Sequence, residues 1–233
     1  ALELMFKDYP GEIWVARKDS PMIIGIENGE TYVASDVPAI LKYTRKVFYV
    51  DNQEIVKLHA DHMHFYNIDE EEIEKESVFI DWDANAAEKA GYEHFMLKEI
   101  YEQPKTINDT ISPRIKDNDI VIEELNMSDE EIKEITKIHI VACGSAYHTG
   151  VTAKYVIEGL ARIPVEVDVA SEFRYRDPIL QKGNMVIVIS QSGETADTLA
   201  ALRESKEKGF KVLGIVNVVG SSIAREADSV MYT

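Results

Sequence analysis

Residues 190–195, Ser-Gln-Ser-Gly-Glu-Thr, place three hydroxyl side chains and a glycine between an apolar run, MVIVIS, and a helical pattern, ADTLAALRESKEKG. Ser190, Ser192 and Thr195 offer hydroxyl donors, Gln191 an amide, and Gly193 lets the backbone come close to a ligand. A helix opening at this point presents unpaired N–H groups and the positive end of its dipole. Together these groups can wrap a phosphate without a cationic side chain. No Lys or Arg lies between Gln191 and Ala201. The patterns GxxxxGK[ST] and GxGxxG are both missing, which turns the reading from nucleoside triphosphates and NAD toward a small phosphomonoester. The competing reading is that Ser192 only caps its helix and Ser190 only ends its strand.

The elements that must position this loop can be read from periodicity. Apolar runs at 137–142, 165–170, 185–190, 211–218 and 229–233 alternate with helical segments, the last of them short, at 221–227. Strands alternating with helices mean parallel βαβ units, and hence an α/β fold with a doubly wound, flavodoxin-like five-stranded sheet of order 2-1-3-4-5. In such sheets ligands bind beyond the carboxyl ends of the strands where the order reverses, here between the first and third strands. The loops leaving those strands are CGSAYHTG (143–150) and SQSGET, both rich in glycine and small hydroxyls. Upstream, Ser128 and Glu131 form a capping-box pattern, and HFMLKEIYEQPKTINDTI reads as helical with a proline break in the middle.

The first 67 residues read differently, as an antiparallel meander. Asn28-Gly29 between two strand-like runs predicts a type I′ hairpin, and Asp19-Ser20-Pro21 predicts a turn. DVPAILKYT suggests a short helix capped by Asp36, and KVFYVDNQEIVKLHA a second hairpin bending at 51–53. Residues 68–93, acidic and then irregular, read as a linker. The organisation expected is therefore 1–67, linker 68–93, and an α/β domain over 94–233.

With 233 residues, 45% hydrophobic and 29% charged, the chain has material for one large or two modest cores. Its net charge of −17 argues against nucleic acid and anionic membranes as partners. Any anionic ligand must then be caught by local features. A single cysteine excludes an internal disulfide or CxxC pair and suits a reducing cytoplasm. No run reaches the ~20 apolar residues of a membrane span. The chain starts on Ala1 within a strand-like segment and stops in another, and reads as a piece of a longer protein.

Other residues draw plainer readings. Cys143, at a strand end before a helix, reads as a packed or pocket-lining thiol rather than a nucleophile, since no base is placed beside it. His59, His62 and His64 read as an exposed strand face rather than metal ligands, and no metal or cofactor is expected. His148 falls one turn into the helix beside the crevice. Arg174 and Arg176 either pair with acidic neighbours or reach a partner subunit.

CGSAYHTG, ASEFRYR, SQSGETADTLAALR and NVVGSSIARE together resemble the first sugar-isomerase (SIS) domain of the glutamine–fructose-6-phosphate aminotransferase family, the glucosamine-6-phosphate synthases. MLKEIYEQP is similar to the segment before that domain, and KDSPMIIGIENGETYVASD to the tail of the family's glutaminase domain, an N-terminal-nucleophile fold. The resemblance covers nearly the whole chain in one order. It implies a parent enzyme with two active sites, at the head of hexosamine synthesis. One hydrolyses glutamine through an N-terminal cysteine; the other uses the ammonia to turn fructose 6-phosphate into glucosamine 6-phosphate. In the family the SQS residues and the following threonine hold the sugar phosphate, which maps onto Ser190, Gln191, Ser192 and Thr195. The family's Cys-Gly-Thr-Ser loop reads Cys143-Gly144-Ser145-Ala146 here, so Ser145 keeps a hydroxyl and Ala146 loses one. Gly144, Gly193, Val219, Ser221 and Ser222 are further contact candidates. The N-terminal cysteine and the second SIS domain, which would carry the Schiff-base lysine, the glutamate base and the ring-opening histidine, have no counterpart in this sequence. Weak binding of sugar phosphate at best, without catalysis, is therefore expected of this chain, within a homo-oligomer, a dimer. Two rivals are weaker. A sugar–amine phosphate deglycase would lack residues 1–67, and a phosphosugar sensor would carry a helix-turn-helix.

Overall fold

The computed structural model describes residues 1–18, 20–81 and 89–233. Asp19 of the expected turn and residues 82–88 of the expected linker lie outside the described residues. The chain divides into two units, Ala1–Tyr101 and Glu102–Thr233, each with its own core.

The strands of the first unit are β1 (Leu2–Leu4), β2 (Ile13–Ala16), β3 (Ile23–Glu27), β4 (Glu30–Ala34), β5 (Lys46–Tyr49), β6 (Ile55–Leu58), β7 (Met63–Tyr66), β8 (Glu72–Ile73) and β9 (Val78–Phe79). They form two antiparallel sheets, ordered β1-β2-β6-β7-β8 and β4-β3-β5-β9. Side chains alternate across each strand, so neighbours in sequence serve different cores. Ile24 joins Val15, Val56, Leu58 and Phe65 between the sheets, with Val33 and Phe48 packed against them. Ile23 and Val47 face the other way, toward Val37, Ile40, Leu41 and Ile80. The β3–β4 turn carries Asn28 at φ 52° and Gly29 at φ 79°, as a type I′ turn requires.

Three local expectations fail in this unit. Residues 46–60 are not a hairpin: β5 pairs with β3 and β9, whereas β6 pairs with β2 and β7. The chain changes sheet between them, because one sheet cannot bury both apolar faces of this segment. Residues 36–44 form consecutive turns, not a helix, although Asp36 does accept a cap-like bond from Ala39 N (3.2 Å). The short strands β8 and β9 fall within the stretch expected to be linker, each adding an edge to one sheet.

The division between the units falls inside α1 (Phe95–Ile111). Pro104 sits within this single helix, so the expected break is absent and only the bond to the Ile100 carbonyl is given up. A small hairpin, β10 (Ile115–Lys116) and β11 (Asp119–Ile120), follows. Next comes α2 (Asp129–Lys133), whose capping box is complete: Glu131 N donates to Ser128 Oγ and Ser128 N to Glu131 Oε2.

The second sheet then alternates β12 (Lys137–Ala142), α3 (Gly144–Leu160), β13 (Val165–Val169), α4 (Ala170–Tyr175), β14 (Asn184–Ser190), α5 (Ala196–Glu207), β15 (Val212–Val216), α6 (Ser222–Glu226) and β16 (Ser229–Tyr232). Its order is β13-β12-β14-β15-β16 and every pairing is parallel, the 2-1-3-4-5 arrangement read from the sequence. Ile138, Ile140, Met185, Ile187 and Leu213 point to one face, covered by Ala153 and Ile157 of α3. Val141, Val186, Val188, Val212 and Val216 point to the other, covered by Phe173, Leu199, Leu202 and Ile223 of α4, α5 and α6. Strands buried on both faces explain why these runs are continuously apolar.

The edge strand β13 departs from that pattern with Glu166 and Asp168, and the central strand β12 carries a buried histidine. His139 on β12 is 1% exposed, edge-on to Phe173, with Nε2 3.3 Å from Asn184 Oδ1 and Nδ1 without a hydrogen-bond partner. Burial, reinforced by the nearby Lys137 charge, pushes its pKa below the ordinary histidine value. The unfolded chain therefore binds more protons than the native one once the pH falls toward ~6.5, and stability drops on acidification. The second unit is expected to melt at lower temperature at pH 5.5 than at pH 7.5. His139→Gln should flatten that slope in thermal denaturation; an unchanged slope contradicts this account.

Candidate functional site

The reversal of strand order lies between β12 and β14, so the loops leaving their carboxyl ends are neighbours. Each feeds directly into a helix. The N-cap of α3 is Cys143 and that of α5 is Thr195, and neither provides a side-chain cap bond. The first N–H groups of both helices are thus left without the side-chain partner that α2 possesses. The short α4, on the outer strand β13, also lacks such a bond, but its entry, Val169–Ala170, is apolar.

In the 190–195 loop the hydroxyls are organised by one another. Ser190 is 4% exposed, and its Oγ accepts from Gly193 N (3.1 Å) and lies 3.0 Å from Thr195 Oγ1. Two hydroxyl protons serve that pair and one suffices to join them, so one O–H donor remains. Ser192 Oγ accepts from Glu194 N (3.2 Å), which leaves its own proton available, and Gln191 is exposed. Ser145 and Gly144, the latter at φ 57°, are exposed at the start of α3. Ala146, where the related loop has a hydroxyl, is half-buried there.

The β15–α6 loop divides. Val219 is 52% exposed, whereas Ser221 and Ser222 are buried beneath the 190–195 loop. Gly193 explains why. It holds φ 67°, and a Cβ at this position would overlap the Ser221 side chain. Three backbone-directed bonds then lock the two loops: Asn217 N to Gln191 O (3.1 Å), Ile223 N to Gly193 O (3.0 Å) and Ser222 N to Glu194 Oε1 (2.8 Å). Glu194 is the residue that the sequence reading passed over. Its carboxylate takes up an N–H at the start of α6, a role signalled only by an acidic side chain inside a loop suited to anions.

The remaining candidates are settled by their contacts. Cys143 is half-buried against the core, its Sγ 3.9 Å from Thr198 Oγ1. Arg174 meets Asp197 (2.9 Å), and Arg176 meets Glu166 and Asp168 (2.7 Å each), so both have the acidic neighbours considered for them. Asp168 and Glu166 in turn raise the Arg176 pKa. His148 is exposed and lies edge-on to Tyr147. A cavity of about 230 Å³ opens at the opposite ends of the strands, lined by Gly183, Asn184, Met185 and Lys211, and contains no residue of either loop.

The parallel sheet of order β13-β12-β14-β15-β16 is that of a doubly wound α/β domain, and residues 131–233 match the SIS domain family. Over its full length the chain is a relative of the glutamine–fructose-6-phosphate aminotransferases. It is 57% identical over 234 residues to the isomerizing enzyme of Clostridium acetobutylicum, and 57% identical over 234 residues to that of Caldanaerobacter subterraneus. All of this chain is covered, but only 38% of each relative, so the chain spans well under half their length. Among solved structures it is similar to the C-terminal domain of glucosamine-fructose-6-phosphate aminotransferase from Francisella tularensis. That match has 46% identity and a TM-score of 0.58, over 63% of this chain and 41% of the other. No described helix is long and apolar enough to cross a membrane.

The loop lock predicts a contrast between two glycines of the second unit. Gly209 also has positive φ (82°), but nothing lies within 4 Å of its would-be Cβ. Gly209→Ala should cost about 1 kcal/mol from backbone strain alone. Gly193→Ala adds steric overlap with Ser221 and should cost about 3 kcal/mol or more. Denaturant unfolding of both variants checks this, and equal losses would refute the lock.

Proposed function

We propose that this chain is part of an enzyme that converts fructose 6-phosphate and glutamine to glucosamine 6-phosphate and glutamate, and that its SIS domain holds the sugar phosphate. The observation that carries the reading is the adjacency of two helix N-termini without side-chain caps, α3 and α5, at the switch point of the sheet. Phosphate oxygens accept from such N–H groups and are favoured by both dipoles. Ser192 and the Ser190–Thr195 pair each have a hydroxyl proton to give, and Gln191 and Ser145 are exposed beside them. Gly193 and Gly144 hold the backbone turns, while Ser221 and Ser222 act from below by fixing the loop. Val219, exposed at the same edge, offers apolar contact to the sugar.

The net charge of −17 favours such dipolar capture, and Arg174 and Arg176 are both engaged by carboxylates. The chemistry belongs to other parts of the enzyme, and this chain supplies binding. Residues 1–67, with the edge strands β8 and β9 that join their sheets, are assigned to the tail of the glutaminase domain, and 94–233 to the SIS domain. A cytoplasmic homo-oligomer, a dimer, fits the relatives' metabolic role.

Calorimetric titration with fructose 6-phosphate, against fructose and inorganic phosphate, tests the site. The chain should bind the phosphosugar saturably, one per chain, and fructose not at all. Ser192→Ala should weaken binding about 5–10-fold, the loss of one hydrogen bond to a charged group. A folded chain that binds no phosphosugar, or a Ser192→Ala variant that binds it as tightly, overturns the assignment.

A further inference from the structure

The junction of the 190–195 loop with the β15–α6 loop concentrates an imbalance in hydrogen bonding. Among the described residues three buried side-chain polar atoms lack a hydrogen-bond partner, and two of them, Glu194 Oε2 and Ser221 Oγ, belong to this junction. The third, His139 Nδ1, lies on β12 within the sheet. Buried polar groups are ordinarily paired, and leaving one unpaired costs stability. Two such costs meeting in one place point to a requirement of position rather than of stability.

Ser221 is the N-cap of α6, yet its own hydroxyl makes no cap bond. A serine in this position ordinarily accepts from an N–H two or three residues on. Here Ser221 is buried beneath Gly193, and Glu194 Oε1 reaches across from the other loop to accept from Ser222 N (2.8 Å). Of the three bonds that lock the loops, those from Asn217 N and Ile223 N end on the backbone carbonyls of Gln191 and Gly193. The third ends on the Glu194 side chain, so a substitution can remove it. The loops it joins leave the carboxyl ends of the neighbouring strands β14 and β15, and one carries Ser192 while the other carries the exposed Val219.

We propose that Glu194 is a positioning residue that determines specificity: by fixing the spacing between Val219 and the phosphate contacts, it gives the site its preference for a phosphosugar over phosphate alone. The inference rests on the proposed reading that the 190–195 loop holds the phosphate. The phosphate contacts in that reading come from Ser192, the Ser190–Thr195 pair and the starts of α3 and α5, and use no part of the β15–α6 loop. The sugar extends past them and meets Val219. Glu194 acts through that spacing alone, because Oε1 is bonded to Ser222 N and Oε2 is buried, so neither oxygen is placed to touch a ligand.

Calorimetric titration of the full 233-residue chain with fructose 6-phosphate and with inorganic phosphate, the latter also by competition, tests this role. The quantity read is the ratio of the two affinities. Glu194→Asp keeps the charge but falls one methylene short of Ser222 N; this variant and Glu194→Ala should each lower the ratio about 10-fold. Glu194→Gln still presents an oxygen to Ser222 N and should hold the ratio within about 2-fold. Val219→Ala should lower it at least about 3-fold through lost apolar contact. Circular dichroism establishes that each variant is folded, and Glu194→Asp carries the test if Glu194→Ala is not. A role in stability alone would reduce both affinities together. An unchanged ratio in Glu194→Asp or in Val219→Ala overturns this inference and leaves the phosphate site standing. Failure of the unsubstituted chain to bind fructose 6-phosphate overturns the phosphate reading, and this inference with it.

Discussion

A helix that follows a parallel strand starts with N–H groups that no residue of its own can satisfy, and the second unit of this protein is arranged around that shortage. In α2 the demand is met by Ser128 and Glu131. At α6 it is met from another loop, by Glu194. At α3 and α5 no side chain meets it, and these two helices leave the neighbouring strands β12 and β14. The unmet donors are therefore concentrated where the topology opens a crevice. Stability is not sacrificed, because water satisfies exposed N–H groups in the absence of a ligand.

Charge sharpens the same arrangement. A chain at −17 repels anions at long range, and Arg174 and Arg176 are held by Asp197, Glu166 and Asp168. The helix starts at α3 and α5, unlike that of α6, have no side-chain cap bonded to their first N–H groups. The proposed site, made of backbone and hydroxyl groups, would bind an anion without a free cationic side chain.

Much of the second unit was legible because buried parallel strands must be apolar on both faces. The five runs stand out in sequence and fix the sheet order, the switch point and hence both loops. The first unit was less legible for a matching reason. Its strands serve two cores by alternation, and a run such as 46–60 does not announce that it leaves one sheet for another. Pro104 misled because the helix tolerates the loss of one hydrogen bond. At the site, hydroxyl content identified the loop but not the direction of each group. Ser221 and Ser222 look equivalent to Ser192 in sequence, yet they are turned inward by Gly193 and Glu194, and only packing decides that. His59, His62 and His64 stood out together in sequence, but the turn that stacks His59 against His62 was not legible there.

The lock between the 190–195 and 217–223 loops carries a consequence for how ligands arrive. Gly193, buried with its carbonyl bonded to Ile223 N, and Glu194, bonded to Ser222 N, hold the loop in shape before anything enters it. Conformational entropy that a floppy loop would surrender on binding has already been lost during folding. The anion proposed for this loop would meet a cradle that needs little rearrangement, and selectivity would rest on fixed dimensions rather than on closure. The same rigidity ties the loop to its neighbour: a bulkier side chain at Ser221 would press on Gly193 and reshape the loop above it.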